Sequence, residues 1–306
     1  MKLTRPMLKP ALGALIVIAL AMLVGPLASG SQSTPPSAPP ETPTKERAKQ
    51  SPRDRPNAKS KDRSKATAND TSKEASSSKP RLFVLAAQID TKVVKRGDIP
   101  NSREARLLAQ VASERSPAYY SEVQTRVLKE NDATRDNILA GLDWLASNVR
   151  ERDVAIVFLA GHGGIKSAGE VTTDYYHYGP LGGKITGSEL RERFDKIAGR
   201  NVLFLQTCHA NGVLHTADGE RPFRNTLVIC ACDDDEGATK LMGRQMILGL
   251  AGSAAADDGR VTTDSLALFL AERVKTLSKG KQSLNVTRPK GFEDFPIAPK
   301  GDPVSE

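Results

Sequence analysis

Two apolar segments of strand length each end abruptly at a polar turn that contains glycine. Segment 154–164 reads Val-Ala-Ile-Val-Phe-Leu-Ala-Gly-His-Gly-Gly and delivers His162, and segment 201–212 reads Asn-Val-Leu-Phe-Leu-Gln-Thr-Cys-His-Ala-Asn-Gly and delivers Cys208. Continuous apolar runs of this length are typical of parallel strands buried on both faces. In an open parallel sheet, ligands and chemistry collect beyond the carboxyl ends of the strands. The pattern therefore places a base beside a thiol, an arrangement that activates a sulfur nucleophile.

The surrounding chain alternates further strand and helix patterns. We expect buried or alternating strands at 82–89, 123–128 and 226–232, and helices at 102–115, 134–149, 187–197 and 262–274. The stretch 166–183 is interpreted as a long connection. Strands that alternate with helices predict an α/β fold, here a three-layer α/β/α sandwich around a mostly parallel central sheet.

The first 30 residues have the pattern of an export signal. A basic stretch precedes an apolar run, 11–24, and the small residues 28–30 offer a cleavage site. The alternative is an uncleaved anchor, since residues 7–28 approach the length that spans a bilayer. Both interpretations predict an exported protein that is periplasmic, extracellular or anchored to the outer face of the cytoplasmic membrane.

Residues 31–80 are rich in Ser, Pro, Lys and Arg and poor in large apolar side chains, so we expect a disordered basic linker. The chain has a net charge of +8. The linker and the first 30 residues carry all of this excess, because residues 81–306 hold equal numbers of acidic and basic side chains. A nucleic-acid-binding domain would carry the basic patch itself, so no nucleic-acid partner is expected. The remaining chain is divided into a domain, 81–280, and a C-terminal tail, 281–306.

The three cysteines constrain the chemistry further. An odd number in an exported protein leaves at least one free thiol. Cys230 and Cys232 lie two apart on a predicted strand, where they are poorly placed to bond to each other, so we interpret both as buried core residues. No metal-ligand set is present, and 254–265 fails the ligand pattern of a calcium loop. We therefore expect no cofactor, with calcium activation left as an open alternative.

The two motifs together resemble the caspase/metacaspase family of cysteine peptidases, particularly bacterial caspase-like proteins. That family has an apolar strand ending in Gly-His-Gly and a second ending in Asp-x-Cys-His-Ala/Ser-Gly; here these are 161–163 and 206–212. The order His then Cys, about 46 residues apart, also fits, as do segments 131–145, 258–266 and 271–274. The resemblance covers roughly 81–280.

The resemblance implies a role for each matching residue. His162 would be the general base and acid, and Cys208 the nucleophile that forms a thioester with the substrate. The backbone N–H groups of Gly163 and Cys208 would form the oxyanion hole. The expected activity is that of a cysteine endopeptidase acting on a protein or peptide, with no cofactor. His209 is interpreted as structural or substrate-facing, and His177 as a surface or packing residue.

Two departures from the family pattern leave alternatives open. Metacaspases have an acidic residue two positions before the nucleophile, where it helps to bind a basic P1 side chain; this chain has Gln206. Asp233, Asp234 and Asp235 are either a substitute source of that charge or an exposed acidic turn. Segment 242–247 also differs from the family's Gly-x-Phe-Thr-type sequence. These departures favour one alternative, a catalytically impaired binding or regulatory module. A second alternative is a non-proteolytic hydrolase or transferase with the same dyad, such as a transamidase.

Overall fold

The structure is a computed structural model that describes residues 79–89, 103–169, 171–178, 183–233, 237–238 and 240–301. All of them belong to a compact unit, Ala68–Glu306. The predicted signal or anchor, almost all of the predicted linker, and residues Asp234 and Asp235 lie outside the described residues. No described helix is both long and apolar enough to cross a membrane.

Thirteen strands are present in the described part of the chain: β1 Arg81–Gln88, β2 Glu122–Lys129, β3 Val154–Ala160, β4 His162–Ala168, β5 Val171–Tyr178, β6 Lys184–Thr186, β7 Arg200–Gln206, β8 His215–Thr216, β9 Gly219–Glu220, β10 Thr226–Cys230, β11 Arg260–Thr262, β12 Asn285–Thr287 and β13 Pro296–Pro299. The α-helices there are α1 Arg103–Arg115, α2 Arg135–Asn148, α3 Gly187–Phe194, α4 Leu241–Leu248 and α5 Thr263–Leu277. Short 3-10 turns span Ser116–Ala118, Glu130–Asp132 and Ala210–Leu214, and a π turn spans Gly249–Ser253.

Six of the strands form a central sheet in the order β12-β10-β7-β3-β1-β2. Every neighbouring pair runs parallel except β10 with β12. Strands β1, β3, β7 and β10 are almost completely buried because helices cover both faces. The mostly parallel sheet predicted from the sequence is confirmed.

Successive side chains along each strand point to opposite faces of the sheet and pack into two separate cores. On β3, Phe158 joins a core shared with α1, α4 and α5, whereas Leu159 joins a second core shared with α2 and α3. Complete burial of each large apolar side chain contributes about 1.5–3 kcal/mol. These two cores hold the helices against opposite faces of the sheet and produce the three layers.

Threonine side chains cap the starts of two helices that the sequence predicted. Thr134 accepts a hydrogen bond from the backbone N–H of Asn137 at the start of α2. Thr262 and Ser265 form a reciprocal capping box at the start of α5. Such caps satisfy backbone donors that have no partner within the helix. The predicted starts of both helices are therefore confirmed.

The segment interpreted as a long connection, 166–183, is instead largely strand. Strands β4, β5 and β6 form an antiparallel sheet of their own. The side chains of Tyr175 and His177 are completely buried, while Tyr176 between them is half-buried. This alternation is the period of a strand with one buried face, and the aromatic residues obscured it in the sequence.

The C-terminal residues differ from the prediction of a tail that begins at 281. Strand β12 pairs with β10 at the edge of the central sheet, and β13 pairs with β11. Phe295, Ile297 and Ala298 are buried in the same core as α5. The structured domain therefore continues to the end of β13, because this short apolar segment covers one end of that core.

Candidate active site

Strands β3 and β7 bring His162 and Cys208 to the same rim of the central sheet. Their last residues, Ala160 and Gln206, lie opposite each other in the parallel ladder. The backbone N–H of Gly161 then donates to the carbonyl oxygen of Gln206 at 3.2 Å. His162 and Cys208 each come two residues after this matched pair, so the shared register places them together beyond the carboxyl ends of the strands.

The backbone beyond His162 lies directly against that of Cys208. A Cβ atom built on Gly163 would be 2.2 Å from the carbonyl oxygen of Cys208 and 2.7 Å from Oγ1 of Thr207. Both distances are shorter than a carbon atom tolerates, so only glycine permits this approach. Glycine is therefore required at position 163 for the segment after His162 to contact the segment that contains Cys208.

His162 and Cys208 line one cavity of about 190 Å³. Its other lining residues are Gln88, Ile89, Ala160, Gly161, Gln206, Ala238 and Lys240. His162 is exposed and Cys208 is half-buried. Two larger cavities, of about 290 and 360 Å³, lie elsewhere and have neither His nor Cys in their lining. Of these three cavities, the smallest is the one lined by both a His and a Cys side chain.

The three cysteines differ sharply in accessibility. All three are free thiols. Cys230 and Cys232 are 1% and 0% exposed, which confirms their interpretation as core residues. Burial, followed by the nearby Cys232 and Asp233, raises the pKa of Cys230, so that its thiol stays protonated. Reagents in solution therefore encounter Cys208 as the accessible thiol.

Gln206 lines the cavity, but its side chain is also tied to α4. Its Oε1 accepts a hydrogen bond from the backbone N–H of Gly243 at 2.5 Å, and the residue is 5% exposed. A Cβ atom at position 243 would lie 3.1 Å from that oxygen. Segment 242–247, in which the sequence departs from the family pattern, thus contacts Gln206, two residues before Cys208.

The acidic turn after β10 is only partly described. Asp233 is half-buried, and its Oδ1 accepts a hydrogen bond from Nδ2 of Asn211 at 3.2 Å. Asn211 lies in the 3-10 turn that follows Cys208. Asp234 and Asp235 lie outside the described residues. Asp233 is therefore hydrogen-bonded to the turn that follows Cys208.

The residue after Cys208 has an unusual backbone conformation. His209 lies in the left-handed region, with φ 57° and ψ 29°, and is half-buried. Non-glycine residues occupy this region rarely because of crowding around Cβ. This conformation turns the chain sharply from the end of β7 into the following 3-10 turn and so sets where Cys208 lies.

His177 was interpreted as a surface or packing residue, and the structure places it completely in the interior. It pairs with Gly163 across the β4–β5 ladder. Neither ring nitrogen has a hydrogen-bond partner among the described residues. Burial, followed by the charge of His162, lowers the pKa of His177 to about 4. The imidazole is therefore neutral near pH 7.

Tyr175 contacts the residue before Cys208, a contact that the sequence did not predict. Its hydroxyl is 2.7 Å from Oγ1 of Thr207, the residue before Cys208. Both residues are completely or almost completely buried. The only signal in the sequence was the alternation of 175–178, which indicates a strand but no partner for it.

A metal centre has no support in the described residues, which contain no group of three or more His, Cys, Asp or Glu side chains able to hold an ion. Segment 257–259 forms a tight turn: the Oδ1 atom of Asp258 accepts from the backbone N–H of Arg260 at 3.0 Å, and Gly259 has φ 77°. This turn shortly precedes Thr262, the N-cap of α5.

Comparison with known proteins gives the class to which this fold and site belong. The caspase-domain family model matches residues 58–283, so the chain belongs to the caspase-domain family of cysteine peptidases. Proteases of this class act on protein substrates. The resemblance seen in the two motifs is thereby confirmed at the level of the family.

One solved structure agrees with this family at the level of the fold. The Drosophila initiator caspase Dronc superposes with a TM-score of 0.50 at 12% identity, over 72% of this chain and 84% of the caspase. A protein from Geobacter sulfurreducens has a TM-score of 0.49 at 15% identity, over 70% of this chain and 95% of its own. No curated protein matches the sequence.

Proposed function

We propose that this protein is an exported caspase-like cysteine endopeptidase in which His162 and Cys208 form the catalytic dyad. The observation that carries the proposal is their shared rim: both residues follow the matched ends of β3 and β7 and line one cavity. The close approach of Gly163 to Cys208 supports the same pairing. Family membership supports cysteine-peptidase chemistry in general.

The proposed mechanism is acyl transfer through a thioester. His162 accepts the proton of the Cys208 thiol, and the thiolate attacks the peptide carbonyl carbon. Backbone N–H groups of Gly163 and Cys208 stabilise the resulting oxyanion. His162 then gives its proton to the leaving amine. A water molecule hydrolyses the thioester, which releases the acid and restores the thiol. These steps use only side chains, backbone and water.

Substrate selection is proposed to involve Gln206 and the acidic turn of Asp233, Asp234 and Asp235. Among the described residues that line the cavity there is no carboxylate, and Lys240 is basic. A basic P1 side chain would thus depend on the acidic turn for its counter-charge. Peptides that differ only at P1, with Arg, Gln or Asp there, measure this dependence. Loss of the Arg preference in Asp234→Asn/Asp235→Asn supports the role of the turn, and unchanged preference contradicts it.

The location of the enzyme is proposed from the sequence alone. The first 30 residues would direct export, and residues 7–28 would anchor the protein if they are not cleaved. The basic linker, 31–80, would connect this segment to the peptidase domain. Fractionation of cells, followed by N-terminal sequencing of the product, distinguishes a released protein from an anchored one.

Cleavage and thiol labelling together test the catalytic proposal. A peptide library and a thiol-directed acyl probe are applied to the wild type, Cys208→Ala, His162→Ala and His215→Ala. We expect both dyad variants to lose cleavage and the probe to label Cys208 only when His162 is present. His215→Ala is the matched control, because it removes an imidazole that does not line the cavity; it should retain activity. Cleavage that persists in Cys208→Ala would overturn the proposal, and activity with added EDTA tests whether calcium is needed.

A binding module with the same fold is the second candidate. The bond from Gly243 to Gln206 favours it, since this amide is already engaged within the protein. In that case the wild type would cleave nothing, and the labelling of Cys208 would not depend on His162. An added amine that appears in the product would instead indicate a transamidase.

A further inference from the structure

His162 begins β4, which is not part of the central sheet, whereas Cys208 follows β7 of that sheet. Strand β4 pairs with β5, and these two strands form a separate sheet with β6. Among the described residues, the bond from Gly161 to Gln206 is the last backbone hydrogen bond between these two segments. The ladder therefore aligns His162 and Cys208 up to this point, and packing and side-chain contacts beyond it fix their separation.

A buried hydroxyl pair bridges the two sheets at this level. The Tyr175 hydroxyl, on β5, lies 2.7 Å from Oγ1 of Thr207, which directly precedes Cys208. Tyr175 is 0% exposed and Thr207 is 1% exposed. Burial raises the pKa of Tyr175 well above its ordinary value, so the phenol remains protonated and able to donate. A hydrogen bond between two such groups is directional and shielded from water.

The same threonine is held at two other points. Its carbonyl oxygen accepts a hydrogen bond from Sγ of Cys232 at 3.3 Å. Its side chain abuts Gly163, where a Cβ atom would be 2.7 Å from Oγ1. Tyr175 is in turn paired with Ile165 of β4, three residues after His162. Thr207 thus contacts the β4–β5 hairpin, which begins at His162, on one side. On the other side it contacts Cys232, two residues after the end of β10.

We propose that Tyr175 and Thr207 are positioning residues whose hydroxyl pair holds the Cys208 thiol within reach of His162. The inference rests on the proposed function of the dyad. Neither side chain touches the substrate or transfers a proton. Their effect is geometric, because a base and a thiol that separate by about 1 Å lose a large part of their rate, on the order of 100-fold.

The test compares Tyr175→Phe, Thr207→Val, the double variant and Thr207→Ser. Phe and Val keep nearly the same volume while removing the hydroxyl groups. Tyr176→Phe is the matched control, since it makes the same change on the same strand at a half-buried neighbour. Two quantities are measured: kcat and KM for a cleaved peptide, and the rate at which iodoacetamide alkylates Cys208 as a function of pH. The buried Cys230 and Cys232 contribute little to alkylation of the folded protein.

We expect each single variant to lower kcat roughly 10- to 100-fold while KM stays nearly unchanged. The pH profile of alkylation should move toward that of His162→Ala. The double variant should be no worse than either single variant, because both changes remove the same bond. Thr207→Ser should recover most of the activity, and Tyr176→Phe should behave like the wild type.

If Tyr175→Phe keeps the wild-type kcat and the wild-type alkylation profile and loses only thermal stability, the pair is a packing contact. That result would overturn the proposal. If a single variant does not fold, the same two measurements are made on the double variant, which leaves no buried hydroxyl without its partner. If the wild type cleaves no peptide, the proposed function fails, yet the dependence of Cys208 alkylation on Tyr175 still tests the positioning role.

Discussion

At the scale of single residues, the site depends on Gly163, because glycine has no side chain. Gly163 brings the backbone after His162 against the carbonyl of Cys208, where no Cβ atom fits. Glycine is therefore required here by space and not by its backbone angles. His209 shows the opposite case, since an ordinary residue occupies a conformation that glycine prefers.

Replacing this glycine gives a direct prediction. Gly163→Ala should lower kcat about 100-fold or more, since the added methyl group forces the His162 strand away from Cys208. Gly237→Ala is the matched control: a Cβ there would lie 3.9 Å from Sγ of Cys208, an ordinary contact. Steady-state kinetics of both variants measure the effect. Equal activity in the two would mean that the rim tolerates displacement.

At the scale of elements, one buried carboxylate fixes β1 to β3 at the end of the sheet opposite the site. Asp153 is 1% exposed and accepts bonds from the backbone N–H, Nε and Nη2 of Arg81 and from the backbone N–H of Arg150. Burial alone would raise the pKa of Asp153, but these bonds outweigh it and hold the pKa below its ordinary value. The charged form is therefore the one that stabilises the fold.

Asp153→Asn should reduce the free energy of unfolding by about 1–3 kcal/mol at pH 7, because it weakens these bonds to Arg81 and Arg150. The folded pKa lies below that of the unfolded chain, near 3.9, so this stabilisation is complete above that pH and is lost as the pH falls further. Urea unfolding at several pH values checks both points. A gap between wild type and variant that widens below pH 4 would contradict the assignment.

At the scale of the whole molecule, stability should depend on one interior imidazole. His177 is buried without a hydrogen-bond partner among the described residues, and its pKa is about 4. The unfolded chain binds a proton there near pH 6.5. The unfolded state therefore gains protons first as the pH falls, and folding is weakened between these two values.

The expected loss from this group is about 2 kcal/mol between pH 7.5 and pH 5, from the difference between the two pKa values. His177→Leu should remove that part of the pH dependence, since leucine does not titrate and no bond is lost. Urea unfolding of both proteins at the two pH values measures it. An identical pH dependence in wild type and variant would rule out the buried, neutral state.

The extent of the domain gives a second prediction at this scale. A chain that ends at Gly280 lacks β12 and β13 and uncovers the core packed by Phe295 and Ile297. Each of these side chains contributes about 1.5–3 kcal/mol, a large fraction of the 5–15 kcal/mol typical of a domain. We expect that chain not to fold, whereas a chain ending at Gly301 should. Circular dichroism and thermal unfolding compare the two; equal stability would restore the boundary at 280.

The sequence by itself determined the local features: the buried strands, the capped helices, and the two motifs that place His162 and Cys208 after strands. These depend on periodicity and capping within a few residues, and the family motifs added the order of the dyad. The tertiary structure alone decided the contacts between distant segments. The separate sheet of β4 to β6, the incorporation of residues 285–299, the Tyr175–Thr207 pair and the buried state of His177 all arise from packing across the chain. Short strands and buried polar pairs of this kind gain their stability from partners far away in sequence, so a local pattern does not identify those partners.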